Sequence, residues 1–495
     1  MHLDRRAHLI PLADCAEEPP SRVGRKAALL GWATAQGLAT PGGLVVPAER
    51  FWAAAEACGV CGQVRYLEAS ALRLDPAQAL AVAASITEGM RSPALEALAS
   101  AEAEAAFARL DAARVVCRSS SAMEDGTAAA FPGVFVSVLD VASPAALAAA
   151  IARCWRSAFS PAAVGYLLRM GAEPLDFSLA LLLQRQVDAG WYGVYVSVDP
   201  VTGAAEPLAD LSNDGPEALV GGDAATLRAR RRAGRWTGID AAPALAASLE
   251  SVRRAALVLG ERVGAGVDVE FALPAAGAEP VILQCRPLTH VGPPAAAGGS
   301  DGTAMMRGRP CAGGRVAGMV NEPGGIAVVD HLTPADYGIV LSHAGVVTER
   351  DASPLSHVAV LCRELGVPFV CGVAGARAEL AGRRVVVDGG TGGIEFPGAG
   401  EPAAPASATP APAEPVMSAV ELVLRVFAEG RPGQPPAAEA ERILGGYAQA
   451  LGGDSVRVVA HAVEPDDLAA LDRLGGQLFG PGFSAATFFE ELAGP

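Results

Sequence analysis

Nowhere does the chain approach the roughly 18 consecutive apolar residues that a membrane-spanning helix needs, so no membrane association is expected. The opening stretch, MHLDRRAHLIPLADCAEE, lacks a long apolar core followed by a small-residue cleavage site, and the expected location is cytoplasmic. Basic side chains are outnumbered, 38 against 54 acidic ones, for a formal net charge of −16. That balance argues against a chain-wide phosphate-backbone footprint; no nucleic-acid partner is expected, although a local basic pocket remains open. Among nine scattered cysteines only Cys58 and Cys61 form a C-x-x-C pair. With no second pair at zinc-like spacing, redox or metal chemistry competes with two plain thiols at a helix end.

What is present suits large cores: 495 residues, 51% hydrophobic and 19% charged, enough for about three domains. Two stretches read as linkers. VGPPAAAGGSDGTA (291–304) could span about 40 Å at ~3.3 Å per residue, and 397–415 alternates proline with small residues. They divide the chain into an N-terminal unit (1–290), a compact unit (305–396) and a C-terminal piece (416–495). The first opens with Ala-rich helical segments and closes with alternating strands. The second mixes Val-rich strands such as GGIAVVD and RRVVVDGG with helices, an α/β pattern. The third holds one helical stretch, Ser418 to Glu429, and a strand-like VRVVAHAV.

Three segments of the N-terminal unit carry nucleotide-type chemistry. Gly24-Arg25-Lys26 precedes an apolar helical run, where backbone N–H groups and an ammonium can converge on phosphate, though basic helix starts are common. The strand Arg114–Cys117 leads into Arg118-Ser119-Ser120-Ser121-Ala122-Met123-Glu124-Asp125, a forked cation beside three hydroxyls; a Ser-rich solvated loop is the alternative. After it, a Gly-containing segment ending Phe131-Pro132-Gly133 resembles a flap. Val267–Phe271 and Val281–Arg286 alternate strictly and read as an antiparallel hairpin. Period-two geometry puts Asp268 with Glu270 on one face, and Gln284 with Arg286 on another. If these faces coincide, their oxygens suit Mg²⁺ and the arginine suits a transferring group; otherwise they form a solvent-facing sheet with cross-strand charge pairs. Between these segments, Leu181–Val187, which includes Gln184, and Gly193–Gly203 read as two strands and a Pro/Gly turn able to house an adenine pocket.

Seven histidines occur, and six of them (His2, His8, His290, His331, His343, His461) read as ordinary surface or core residues. His357 stands apart. Ser356 is a fitting N-cap, Gly366 a stop signal and Pro368 follows, so His357 falls in the first turn of a short helix. There the helix dipole and free N–H groups favour a phosphate on the imidazole, while a structural first-turn histidine is the alternative.

Together these segments resemble the phosphoenolpyruvate synthase, pyruvate phosphate dikinase and rifampicin phosphotransferase family over residues 15 to 395. VGRKAALLGWATAQGLATPGGLVV resembles its opening glycine–lysine segment, VVCRSSSAMEDG its phosphate loop and VSVDPVTG its D-P-x-T-G turn. GVDVEFAL with VILQCRPLT is similar to D-x-E-W-A followed by I-L-Q-x-R-P. SPLSHVAVLCRELGVPFVCGV is similar to the phosphohistidine segment. The resemblance implies an N-terminal ATP-grasp domain, a small swivelling α/β phosphohistidine domain and a short C-terminal α/β piece. It further implies ATP held by Lys26, Arg118, Ser119 and Gln184, Mg²⁺ held by Glu270 and Gln284, and Arg286 steadying the transferring phosphoryl group. His357 is then the carrier, with AMP and phosphate as products.

Three departures are visible: Gly24-Arg25 where two glycines usually precede the lysine, Ala352-Ser353 in place of Gly-Gly before the histidine, and Phe271 in place of tryptophan. The acceptor barrel found in the synthase and dikinase takes about 250 residues, and 416–495 is too short for it. The expected acceptor is a small molecule bound elsewhere, on a separate subunit or at a site made by 416–495. The rival class is a silent nucleotide-binding or regulatory subunit that keeps the fold. An ATP-grasp ligase would leave His357 unexplained.

Overall fold

The structure is a computed structural model, and it describes residues 9–125, 133–171, 176–215, 219, 227–240, 242–289, 291, 305–396, 469–473 and 484–485. Residues 292–304, most of the flap, 397–415 and nearly all of 416–495 lie outside the described residues. So do the helix and strand expected in the C-terminal piece.

The chain divides into two compact units, one of residues 1–49, 100–154 and 179–409 and the other of 50–99, 155–178 and 410–495. The second is helical where described. Its helices include Cys61–Ser70, Pro76–Gly89 and Pro161–Met170. Asp75 begins Pro76–Gly89 with a reciprocal capping box to Gln78, and Ser160 caps Pro161–Met170 by accepting from the Ala163 N–H. Phe159 stacks with Phe51 at 6.1 Å and with Phe177 at 5.4 Å between centroids. Cys58 and Cys61 are free thiols where one helix ends and the next begins, and Cys58 Sγ lies 3.2 Å from Ser92 Oγ.

The first unit is built on four sheets. β1 (Ile10–Pro11), β2 (Gly43–Val46), β3 (Val115–Ser121), β4 (Ser137–Val141) and β5 (Leu179–Arg185) are ordered β1-β2-β5-β3-β4. β6 (Trp191–Val196), β7 (Leu208–Ser212), β8 (Leu227–Arg232), β9 (Arg235–Thr237), β10 (Val267–Leu273) and β11 (Val281–Pro287) are ordered β11-β10-β6-β7-β8-β9. Every pairing in both sheets is antiparallel.

Alternation in β10 sends Val267, Val269, Phe271 and Leu273 to the core. They meet Leu245, Leu249, Val252, Ala256 and Leu259 from the helix Leu245–Val263, spaced by three and four residues along one face. Asp268 and Glu270 therefore take the opposite face. Phe271 is fully buried on the core side, so that departure from the family pattern does not touch the polar face.

The remaining strands form two four-stranded sheets. β12 (Met306–Arg307), β14 (Arg315–Met319), β18 (Arg384–Asp388) and β19 (Gly393–Glu395) are ordered β12-β19-β18-β14. β13 (Arg309–Ala312), β15 (Ile326–Val329), β16 (Gly345–Thr348) and β17 (Phe369–Cys371) are ordered β13-β17-β16-β15, with β15, β16 and β17 parallel. The connection from β16 to β17 carries the helix His357–Glu364, as a parallel crossover requires. Val328, Val347, Val370, Val385 and Val387 share one apolar core.

Candidate active site

The polar residues converge from three directions. On β10 and β11, Asp268 stands opposite Arg286 and Glu270 opposite Gln284, so the two polar faces coincide. Arg286 grips one Asp268 oxygen with Nε at 2.9 Å and Nη2 at 2.8 Å, both side chains being buried. Burial alone would depress the guanidinium, but Asp268, Asp125 and Glu270 outweigh it and raise Arg286 above its ordinary value. Burial likewise pushes Glu270 up, yet Arg118, His357, Arg286 and Lys26 hold its carboxyl below the usual range.

β3 presents the second group. It continues through Ser121, so the three serines lie within a strand and not in a solvated loop. All three are buried and bonded to protein. Ser119 Oγ contacts Glu124 Oε2 at 3.4 Å, Ser120 Oγ donates to the Val23 carbonyl at 2.8 Å, and Ser121 Oγ accepts from the Met123 N–H at 3.1 Å. Ser119 and Ser121 thus contact the turn at 121–124, and Ser120 ties β3 to the helix Pro20–Ala35. Arg118 reaches across to the other sheet. Its Nη1 donates to Gln284 Oε1 at 2.9 Å and to Glu270 Oε2 at 3.2 Å.

Lys26 comes from the third direction. The helix Pro20–Ala35 is broken at Gly24, which adopts φ 76° and ψ 158°. A Cβ there would sit 2.1 Å from the Ser120 carbonyl oxygen, so glycine allows this segment to lie against β3. Lys26 is consequently buried. Its Nζ donates to Glu124 Oε1 at 2.7 Å and to the Ser119 carbonyl at 3.2 Å, with Asp125 Oδ2 at 3.9 Å. Glu124 and Asp125 therefore belong to the cluster although they carried no assigned role. The E-D ending of the phosphate-loop motif was the available signal. Burial, with Glu124 and Glu270 beside it, raises the Asp125 carboxyl to about 7 against the pull of Lys26 and Arg286.

His357 joins this cluster from the β16–β17 crossover. Ser356 caps its helix by accepting from the Ala359 N–H at 3.3 Å, and Gly366 ends it with φ 64°. The ring keeps some contact with solvent, yet its surroundings are dense enough to lower its pKa to about 4. Burial is the main cause and the Arg286 charge the next. A Cβ on Gly133, at φ 61°, would come within 2.7 Å of His357 Nδ1 and 2.9 Å of Tyr337 Oη, so the described end of the flap segment lies directly against the ring. Tyr337, fully buried beside the site, was not anticipated from the sequence.

A cleft of about 270 Å³ opens beside Arg118 and Gln184, lined also by Val116, Val187, Tyr192 and Leu283. Two buried donors, Arg118 Nε and Gln184 Nε2, have no hydrogen-bond partner there. Orphaned donors facing a cavity fit an anionic, acceptor-rich ligand such as a nucleotide. The oxygen set also fits a cation. Gln284 directs its Nε2 to Asp125 at 3.2 Å, so its Oε1 joins Glu270 Oε2 in accepting from Arg118, the position a cation would take, and Mg²⁺ needs few protein oxygens when phosphate and water supply the rest. Among the described residues no group of three or more His, Cys, Asp or Glu could hold a metal without such help. No helix among them is long and apolar enough to cross a membrane.

The fold and this cluster define a class in which a nucleotide-binding part is followed by a small histidine-bearing one. Residues 20–234 match the AMP/ATP-binding domain of pyruvate phosphate dikinase, and residues 321–392 match the mobile domain of PEP-utilising enzymes. These two domains, together with relatives named phosphoenolpyruvate synthase and rifampicin phosphotransferase, support the family that the sequence motifs resemble.

A probable phosphoenolpyruvate synthase of Archaeoglobus fulgidus is 26% identical over 330 residues, 57% of this chain and 43% of the relative. A phosphoenolpyruvate synthase of Aeropyrum pernix is 22% identical over 462 residues, 76% of this chain and 56% of the relative. A rifampicin phosphotransferase of Streptomyces sviceus is 37% identical over 86 residues, 17% of this chain and 10% of the relative. The chain spans about half the length of the phosphoenolpyruvate synthases it matches.

Proposed function

We propose that the chain is an ATP-dependent phosphotransferase of the dikinase type, which carries phosphate on His357 to a small-molecule acceptor bound elsewhere and yields AMP and phosphate. The observation that carries this reading is the placement of His357, with Gly133 against its ring, within reach of the charges of Arg286, Glu270, Lys26 and Arg118, all contributed by the N-terminal strands and helix. A ring neutral at pH 7 has a free lone pair, the state a nucleophile needs. That lone pair forms the bond to phosphorus while the bond from that phosphorus to the oxygen bridging to AMP breaks, and AMP leaves with the electron pair. Hydrolysis of the remaining anhydride releases phosphate and leaves one phosphoryl group on the ring.

Lys26 and Arg118 would meet the phosphates, Ser119 would support that turn, Gln184 would face the nucleoside, and Arg286 would steady the transferring group. Glu270 and Gln284 would hold Mg²⁺, which supplies charge neutralisation when bound. The acceptor site is assigned to a separate subunit, with a site formed by 416–495 second.

One observation favours the silent-subunit reading: the oxygens assigned to Mg²⁺ already bond Arg118, so the site is self-satisfied. Incubation with Mg²⁺ and ATP labelled at the β-phosphate decides between them. Acid-labile, base-stable label with AMP formed is expected, and His357→Ala should remove it while nucleotide still binds. Label that persists in His357→Ala defeats the carrier role. Absence of label in the unaltered protein, with candidate partner chains added, defeats the enzyme reading.

A further inference from the structure

The segment just before His357 makes a contact that neither the nucleotide nor the phosphate chemistry uses. Ser353, buried, donates its hydroxyl to Asp210 Oδ2 on β7, across 143 positions of sequence. The same hydroxyl accepts from the Leu355 N–H at 2.8 Å, which sets the turn leading to the histidine. Asp210 is itself held from behind. Arg228, directly opposite it on β8, donates Nε to Oδ1 at 2.7 Å and Nη2 to Oδ2 at 3.0 Å.

Two residues on, Leu355 is buried in an apolar socket formed by Val194, Val196 and Leu208 of β6 and β7, with Leu219 beside them. A polar hook and an apolar plug thus enter neighbouring strands of the second sheet within three residues of each other. His357 follows two residues later.

We infer that Ser353 and Leu355 are positioning residues, a latch seated on Asp210 and its apolar neighbours that fixes His357 over the Glu270–Arg286 cluster. This rests on the carrier reading of His357 and adds the device that sets its residence there. Arg228 matters to the design because its two hydrogen bonds hold the Asp210 carboxyl in place. Ser353 therefore meets a fixed charged acceptor, the stronger kind of hydrogen bond. Ser353 is also one of the two residues that stand where the family pattern has glycine, and glycine could supply no hydroxyl.

The test uses the full chain with two variants, Ser353→Ala and Leu355→Ala, and two readouts. The first is amide hydrogen exchange without nucleotide. Loss of the latch should speed exchange in 208–212 and 351–357 but leave 326–329, in the histidine-bearing core, unchanged. The second is the rate at which His357 takes label from ATP, expected to fall about tenfold to a hundredfold for loss of a hydrogen bond to a charged group. Nucleotide affinity should stay the same.

Unchanged exchange and unchanged labelling in both variants overturn the latch. Faster exchange throughout 326–329 as well would mean a structural role only, and also overturns it. If the unaltered protein takes no label even with candidate partner chains added, yet the exchange pattern appears, the latch stands and the carrier reading fails. Should Ser353→Ala not fold, Leu355→Ala alone carries the same two outcomes.

Discussion

Acidification from about pH 7.5 to about 5.5 is expected to loosen His357 from its seat by roughly tenfold, by proton linkage alone. The ring's pKa is about 4 when lodged, against an ordinary 6.5, with burial the main cause and Arg286 the next. A base with a depressed pKa stabilises nothing when protonated. The seated state is unpenalised above pH 6.5 and loses ground as pH falls, until both states bind the proton near pH 4. The full span of about 2.5 units corresponds to roughly 3 kcal/mol at 1.36 kcal/mol per unit. At pH 5.5 an unseated ring is about nine-tenths protonated and a seated one hardly at all, which costs about 1.4 kcal/mol. The assay is a titration of histidine ring NMR signals in ligand-free protein, with His357 assigned by its loss in His357→Gln, alongside amide exchange at 351–357. A His357 signal titrating at the ordinary value, with exchange unaffected by pH, would refute the reasoning, because the ring would then be neither buried nor beside Arg286.

Arg286→Met leaves Asp268 buried without its partner, so a loss of about 3–5 kcal/mol is expected, read from urea unfolding midpoints; an unchanged midpoint contradicts the burial described. Gly24→Ala combines a backbone conformation reserved for glycine with a clash against Ser120, and should cost at least about 2 kcal/mol. A neutral result there would mean that the helix segment does not lie against β3. Glu270→Gln should raise the Mg²⁺ concentration for half-maximal His357 labelling at least about tenfold, since even outer-shell partners are worth that much. An unaltered Mg²⁺ dependence removes Glu270 from the metal role.

The hairpin was legible because Asp268 with Glu270, and Gln284 with Arg286, obey a local period of two, but the meeting of the two polar faces depends on a bulge between Glu270 and Phe271 that passes over Leu283, and no periodicity announces it. The first-turn placement of His357 was legible for a similar reason: cap, stop and proline lie within a dozen residues of it. The strand's continuation through Ser119 to Ser121 was not legible, because polar side chains complete a strand only when each finds a partner inside, and those partners sit some 97 positions away at Val23 or on the next turn. Asp125 stands at φ 54°, a turn conformation that no periodicity announces. Ser353 with Asp210, and Tyr337 beside Gly133, arise from long-range docking, which leaves no local mark.

The balance of charge inside the cluster bears on how a nucleotide arrives. Lys26, Arg118 and Arg286 face Glu124, Asp268 and Glu270, three cations against three carboxylates, with Asp125 only partly ionised at neutral pH beside them, in a chain whose net charge is −16. A polyanion approaching from solution meets no attractive field, so electrostatic steering cannot hasten its encounter. Its hold must develop at contact, as phosphate oxygens take Lys26 from Glu124 and Arg118 from Gln284. Association should therefore be slow for so small a ligand and nearly indifferent to ionic strength, while dissociation sets the affinity.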